Sequence, residues 1–566
     1  MPLDSGSEPA QSPVRLRLAM ALLALLTACA LGYWAYQGRP RPLPEPTGER
    51  VECVSYAPFR LPGETPFDPT ARVSPARVAE DLRLLRQRTG CVRTYAVQQG
   101  LDVVPEVARQ LGMQVLLGAW IGRDRAENEA ELARAITLAR SHADVVRGLI
   151  VGNEVLLRRE LPEQELAGYL QRARREVGVP VTYADVWEFW LQHRGLAEHV
   201  AFVTAHILPY WEDEPVGIEQ AIEHVVDIHR LVRATFPKHD VLIGETGWPS
   251  AGRARREAVP GRVEQAHFVR GFVAAAEARG IRYNLIEAFD QPWKRRLEGA
   301  MGGYWGLYDS DGRLKFPWRG PVAPDPRWTD GWLAAAAAAL AFAGLAAAAG
   351  RRRAALAVHA LAGAATGAVL AAQWRYMAHW NRDLLEWGTT GAYTALAGLL
   401  GWIAADHLAR WRDPHRRDAP GIGQLVAELR VAPGLPQTAQ WLGLLRFAFL
   451  FGAATMSVLL VADARYRGFP MPLYAVPAAC AVLLALAGER APRDAREERL
   501  LAAVIVAGAL ITAATEHLRN AQAWLWLLTA GCVAGWAVAF GQRPRAGNRL
   551  AVSTPSSVPT AAGSKQ

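Results

Sequence analysis

Cysteine is scarce: five among 566 residues, too few for a disulfide scaffold and at spacings that build no zinc site. No glycine-rich turn follows the first apolar run of the central region, which argues against a dinucleotide-binding open sheet. There is no phosphate cradle and no His, Cys and Asp cluster at metal spacing, so neither cofactor nor metal is expected. Charge is missing from long stretches near both ends of the chain, and there the absence is itself the signal. Aromatic residues are plentiful. The 20 Trp, 15 Phe and 14 Tyr supply enough burial to exclude disorder as the main theme. A hydrophobic share of 51% beside 21% charged residues gives a mean hydropathy of +0.02, which points to two kinds of sequence joined in one chain.

The first charge-poor run covers 18–36, after Arg15 and Arg17. It is long enough for a membrane-crossing helix, which needs about 20 apolar residues. A cleaved signal peptide is the rival, with an apolar core of about 7–15 residues. Leu26-Thr27-Ala28-Cys29 is similar to a lipobox, but the run continues through Leu31, Tyr33 and Trp34, which favours an uncleaved anchor. A proline-rich linker follows at 38–49. Beyond Pro326 come seven further runs, at 332–349, 355–373, 388–405, 442–461, 473–488, 500–515 and 524–540. With the N-terminus inside, the basic stretches Arg351-Arg352-Arg353, Arg410 with Arg412, Arg416 and Arg417, and Arg543, Arg545 and Arg549 all fall inside. The outer loops are poorer, with Arg375, Arg382 and Arg519. This positive-inside pattern predicts cytoplasmic ends at 1–17 and 542–566, an anchor at 18–37, a membrane domain at 323–541 and an outward-facing region at 50–322. The net charge of +9 then requires no nucleic acid. His359 reads as the one ionisable group well inside a span, and such scarcity favours a scaffold over a transporter, with a sugar-lined pore as the lesser reading.

The middle region alternates short β-branched runs with amphipathic segments. The runs are 51–57, 92–96, 114–120, 148–151, 179–183, 200–205, 241–244 and 282–288, and the helical patterns between them are 75–88, 127–141, 162–177, 218–235 and 262–279. Eight such units predict a (β/α)8 TIM barrel, which takes roughly 250 residues. The fold class is therefore a TIM barrel plus a multi-span α-helical membrane domain. Barrel chemistry sits where strands end. The residues there are Tyr56, Arg93, Tyr95, Asn153, Glu154, His206, Tyr210, Glu245, Trp248, Glu287, Asp290, Gln291, Trp293 and Lys294, with Tyr304 in the closing loop. Aromatics, amides and carboxylates on one rim suit a carbohydrate, whose C–H faces stack on rings while its hydroxyls need paired donors and acceptors.

Glycoside hydrolysis needs two carboxyl groups of different pKa. Glu154 and Glu245 end strands four and seven, across the mouth from each other, and Asn153 is placed to donate to a sugar 2-hydroxyl. The competing reading is that Glu154 caps a helix or pairs with Arg158. Glu287 and Lys294 read as a pair that positions substrate. His206 reads as a sugar ligand or a buried structural histidine. Cys53 and Cys91 begin adjacent strands and read as two buried thiols in preference to a disulfide.

Val151-Gly152-Asn153-Glu154 and Gly244-Glu245-Thr246-Gly247-Trp248-Pro249-Ser250 resemble the two signatures of glycoside hydrolase family 17, the β-1,3-glucanases. Arg93-Thr94-Tyr95, His206-Ile207-Leu208-Pro209-Tyr210-Trp211, the stretch from Glu287 to Lys294, and Gly302-Gly303-Tyr304-Trp305-Gly306 carry the resemblance across 50–312. It implies Glu154 as acid/base, Glu245 as nucleophile and retention of configuration, with carboxyls about 5–5.5 Å apart. The helical envelope is similar to that of bacterial membrane-bound members, often labelled β-(1-6)-glucan synthases, or to glucanosyltransferases. The implied site is the outer face of a bacterial inner membrane, acting on β-glucan, with a glucan synthase as candidate partner. Water attacking a glycosyl-enzyme at Glu245 would make a hydrolase and a glucan hydroxyl a transferase; the membrane setting leans to transfer and branching. A glucan-binding scaffold for a partner synthase is the further alternative, disfavoured by the presence of both carboxylates.

Overall fold

A computed structural model describes residues 13–410, 417–431, 434, 436–492 and 495–538. Arg412, Arg416, Phe540, Arg543, Arg545, Arg549 and most of both terminal segments lie outside them. Eight β-branched runs pair in parallel in chain order, and the last closes on the first. They are β1 (Val54–Ser55), β2 (Cys91–Arg93), β3 (Gln114–Ala119), β4 (Val146–Asn153), β5 (Val181–Val186), β6 (Val203–His206), β7 (Val241–Thr246) and β8 (Arg282–Leu285). Every one overlaps a run picked out from the sequence. Helix α1 (Pro13–Gly38) precedes the barrel. Around it lie α2 (Pro75–Leu85), α3 (Val104–Leu111), α4 (Arg125–Ser141), α5 (Glu163–Glu176), α6 (Trp187–Gln192), α7 (Ile218–Thr235), α8 (Arg262–Arg279) and the short α9 (Arg295–Glu298). Ser74 and Asp124 start α2 and α4 by accepting hydrogen bonds from backbone N–H groups of the first turn. Helix α3, α6 and α9 are too short to give a periodic signal.

Side chains alternate across the strands. Leu116, Ile150, Ala184 and Leu242 meet Cys53 and Cys91 in an interior cluster, while Val115, Leu117, Leu149 and Val151 pack into the layer shared with the helices. Cys53 and Cys91 are joined as a disulfide, which corrects the reading of two thiols. Pairing of β1 with β2 brings their Cα atoms to 4.5 Å, within bridging reach.

The second half is helical: α10 (Thr329–Ala348), α11 (Arg353–Trp380), α12 (Leu384–Ala409), α13 (Ile422–Val431), α14 (Thr438–Ala462), α15 (Met471–Leu486), α16 (Arg496–Thr515) and α17 (Ala521–Val538). Among the described residues six helices, α1, α10, α11, α14, α16 and α17, are long and apolar enough to cross a membrane. Helix α15 is shorter and carries Pro477. At one end of the bundle Arg351 meets Asp406 (2.7 Å), His407 meets Glu489 (2.7 Å), and Arg446 meets Glu498 (2.8 Å). Arg446 is fully buried, so His359 is not the single ionisable group inside the bundle. Its charge is met by the first turn of α16, an arrangement that hydropathy alone does not reveal.

The opposite end meets the barrel. Arg253 pairs with Glu516, donates to the carbonyl of Arg467 (2.7 Å) and lies over Phe469 (4.5 Å). Asn520 donates to the carbonyl of Ala254 (2.7 Å), and Arg295 and Tyr304 reach the carbonyl of His379 at 3.4 Å each. The two segments entering and leaving the barrel pair with each other, Arg41 with Val322 at 2.9 and 3.0 Å.

Gly118 on β3 tests the interior packing, because a methyl there would collide with the backbone carbonyl of Thr94. Gly118→Ala is expected to destabilise the protein by about 1–3 kcal/mol. Gly168→Ala, on exposed α5 with open space around it, is expected to stabilise by up to about 1 kcal/mol. Thermal unfolding of the full-length protein in detergent should move in opposite directions for the two. Equal shifts would contradict the packing.

Candidate active site

Four strands deliver the central residues. Arg93 ends β2 and points inward, fully buried. Its Nη1 donates to Glu245 Oε1 at 2.6 Å and its Nη2 to Asn153 Oδ1 at 2.5 Å. Tyr95 lies against this guanidinium (4.4 Å to the ring centroid) and donates its hydroxyl to Glu245 Oε1 at 2.9 Å. Ser55 Oγ donates to the same phenol oxygen at 3.1 Å and accepts from Asn284 at 2.8 Å. His206, at the end of β6, has Nδ1 3.2 Å from Glu245 Oε2 and 3.8 Å from Glu154 Oε1. Oxygens of both carboxylates and a nitrogen of His206 lie within 4.8 Å of one another.

The register of the ladder slips where these residues emerge: between Ile150 and Asn153, between Ala205 and His206, and between Ile243 and Thr246. Such irregularities re-aim side chains that strict alternation would send elsewhere. At the end of β4 Gly152 (φ 86°), and just past it Glu154 (φ 53°), adopt left-handed backbone. For a glutamate that conformation is uncommon, and it is held by the Glu154 N–H donating to Ala184 (2.8 Å) and by Arg158 donating to the Glu154 carbonyl (2.9 Å). Arg158 pairs with Glu160 (2.7 Å) and leaves the Glu154 carboxylate unclaimed.

The two carboxyls are driven apart electrostatically. Burial pushes Glu154 up to about 7, helped by the negative charges of Glu245 and Asp185. Burial alone would also raise Glu245, but His206 and Arg93 outweigh it and hold Glu245 below the usual carboxylate range. A carboxyl with a raised pKa thus faces one with a lowered pKa, the division of labour that an acid and a nucleophile require. Beyond them Lys294 donates to both oxygens of Glu287 at 3.0 and 2.9 Å. Burial raises Glu287 to about 7 and Asp290 to about 6. Glu154, His206 and Glu245 offer three possible metal-ligand atoms, yet two of the groups that claim or flank Glu245, Arg93 and Lys294, are cations that work against a bound one.

The remaining rim residues divide. Tyr56 is buried with its hydroxyl on Asp81 (3.0 Å), and Tyr210 is buried with its hydroxyl on the Arg253 carbonyl (2.6 Å). Trp248 is buried and donates to the carbonyl of Val259 (3.0 Å). Gln291 is buried and donates to the carbonyl of Ala57 (2.8 Å), while Asp290 binds Lys315 (2.7 Å) and the Gly306 N–H (2.9 Å). These five brace the rim from behind. Trp293 is half-buried against Phe67 and donates to Gln291 (2.8 Å), and Tyr304 turns toward His379. Sequence reasoning passed over Ser55 and Lys315. Ser55 had a signal, its place on β1 facing Tyr95; Lys315 had none, arriving in a loop beyond the last strand.

Residues 53–306 match the BtgE/BtgC glycoside hydrolase domain. This stretch is the part of the chain that is similar to a glycoside hydrolase. The probable beta-glucosidase btgE of Aspergillus fumigatus is 29% identical to this chain over 226 residues, covering 39% of this chain and 39% of that protein. The chain therefore spans well under half the length of that relative. The glucan 1,3-beta-glucosidase of Saccharomyces cerevisiae is 23% identical over 292 residues, 48% of this chain and 93% of the yeast protein. An active-site mutant of Rhizomucor miehei beta-1,3-glucanosyltransferase, solved with laminaritriose, is 25% identical, covers 49% of this chain and 98% of its own, and superposes with a TM-score of 0.42. The family match ends at residue 306, before the helical half begins.

The opposed pKa values of the hydrolase domain set its pH dependence. With Glu154 as the acid, kcat/KM should fall as pH rises through about 7. With Glu245 as the nucleophile, the acid limb should lie below the usual carboxylate range. Arg93→Ala should move that acid limb upward, and Glu154→Gln should abolish the alkaline one. A pH–rate series on the three proteins measures both, and an alkaline limb that survives in Glu154→Gln would belong to another group.

Proposed function

We propose that the chain is a membrane-embedded retaining glycosidase acting on β-1,3-glucan, with Glu245 as nucleophile and Glu154 as acid/base. The observation that carries this reading is the pair itself: Glu245 bound by the Arg93 guanidinium beside Glu154, their carboxylate oxygens within 4.8 Å of each other, a spacing that leaves no room for the intervening water of an inverting enzyme, with burial raising one pKa and neighbouring charge lowering the other. Arg93 and Tyr95 hold Glu245 Oε1, leaving Oε2 to attack the anomeric carbon while Glu154 protonates the departing oxygen. Asn153, anchored through Oδ1, keeps its amide N–H groups for a sugar 2-hydroxyl. Deprotonated Glu154 then activates the acceptor. The wider likeness to β-1,3-glucosidases and a glucanosyltransferase supports glucan as the substrate.

In this reading the helices α10–α12 and α14–α17, with α1, cross the membrane and the barrel faces outward. The charge bias of the loops, the barrel contacts of Arg467, Glu516 and Asn520 at one end of the bundle, and a disulfide that suits an oxidising compartment all support it. A membrane-held glucan serves as donor and acceptor, so transfer and branching dominate over hydrolysis.

Full-length protein with end-labelled β-1,3-gluco-oligosaccharides tests this. Products longer than the substrate are expected from the parent. Glu245→Gln should lose at least about a thousandfold in kcat. Glu154→Gln should lose roughly a hundredfold or more on oligosaccharides and less on aryl glucosides with good leaving groups. A greater loss in Glu287→Gln than in Glu154→Gln would overturn the acid assignment, and products that are only shorter would replace the transferase by a hydrolase.

A further inference from the structure

The loops that follow β6, β7 and β8 leave the barrel at the end where His206, Glu245 and Glu287 sit, and these same loops meet the helical bundle. The bundle therefore walls one side of the catalytic mouth. Two groups of contacts make up the junction, and they differ in kind. Arg253, Ala254, Glu516 and Asn520 are paired with one another and hold the halves together. The second group centres on Trp211, which is half-buried and lies 6.2 Å from the ring of Tyr466 in the loop between α14 and α15. Tyr210 runs parallel to Trp211 at 6.1 Å. Two guanidiniums stand over its indole, Arg255 from the barrel at 5.3 Å and Arg465 from the bundle at 4.8 Å.

Neither of these arginines forms an ion pair among the described residues. Among the described residues the Arg255 side chain makes one hydrogen bond, to the carbonyl of Tyr210 (2.7 Å), and Arg465 is exposed. Burial and then the charge of Arg465 push Arg255 below its ordinary pKa, and the nearby Glu516 and Asp213 offset this only in part. Aromatic faces flanked by unclaimed N–H donors are what a neutral sugar chain requires: C–H faces on the rings, and hydroxyl oxygens as acceptors. An arginine fork supplies up to five such donors.

We propose that Trp211, Arg255, Arg465 and Tyr466 form a subsite for a β-glucan chain, built half from the barrel rim and half from the bundle. The assignment rests on the glucan reading above. It makes the bundle a part of the substrate-binding surface, engaged by chains long enough to extend from the carboxylates to the junction. Short substrates end before it.

The test uses full-length protein and compares a β-1,3-linked trisaccharide with a decasaccharide. The ratio of kcat/KM for the long over the short substrate is expected to fall about tenfold in Tyr466→Ala and in Arg465→Ala, and to be retained in Tyr466→Phe, which keeps the ring. An equal fall for both substrates, or an unchanged ratio, would overturn the subsite. A second measurement separates it from the catalytic assignment. In a Glu245→Gln background, decasaccharide affinity followed by tryptophan fluorescence should weaken about tenfold on Tyr466→Ala. If the parent turns over neither oligosaccharide, the catalytic reading fails; weakened binding on Tyr466→Ala would still support the subsite, and unchanged or undetectable binding would remove it.

Discussion

Arg93 is fully buried near the centre of the barrel mouth, and a guanidinium in that position persists only where its charge is met. Glu245 meets it at 2.6 Å, and Asn153 satisfies the second arm of the fork. Because the guanidinium does not give up its proton, Glu245 stays ionised. Burial raises Glu154 across the mouth, and the negative charge of Glu245 presses it further to keep its proton. His206 and Arg93 together hold Glu245 down, so the two carboxyls are parted by neighbouring charge at one and by burial and repulsion at the other. Tyr95 refines the arrangement and does not create it.

Much of this was legible in the sequence. The eight β-branched runs and their spacing implied a closed barrel because strand and helix periods alternate so regularly there. Glu154 and Glu245 stood out because both follow an apolar run directly and lie on strands that face each other. What the sequence hid is the depth of each side chain. Tyr56, Tyr210, Trp248 and Gln291 also follow strands, yet each spends its polar atom on a partner inside the protein. Position along a strand tells which end a residue occupies. Which way it faces depends on the ladder, and the ladder slips at Asn153, His206 and Glu245.

The helical half was harder to read for a related reason. Hydropathy locates helices but does not show what they bury. Arg446 lies inside the apolar run 442–461, and its partner Glu498 comes from a helix two places further on. The disulfide was missed on another ground: Cys53 and Cys91 were legible as starting adjacent strands, but buried thiols fit that position as well as a bridge does, and only the 4.5 Å Cα separation decides between them. Pair interactions between distant segments are exactly the information that composition and periodicity lack.

Arg41 and Val322, far apart in sequence, are bonded to each other where the chain enters and leaves the barrel. Just beneath them Trp34 of α1 donates to the carbonyl of Ala368 in α11, and Trp332 of α10 donates to that of Leu31. Topologically, then, the barrel is a large loop of the bundle, inserted between two helices that would pack together without it. Two parallel tethers resist swivelling as a single stalk does not. The orientation of the mouth is accordingly a property of the insertion point, and a glucan emerging from it always meets the same face of the bundle.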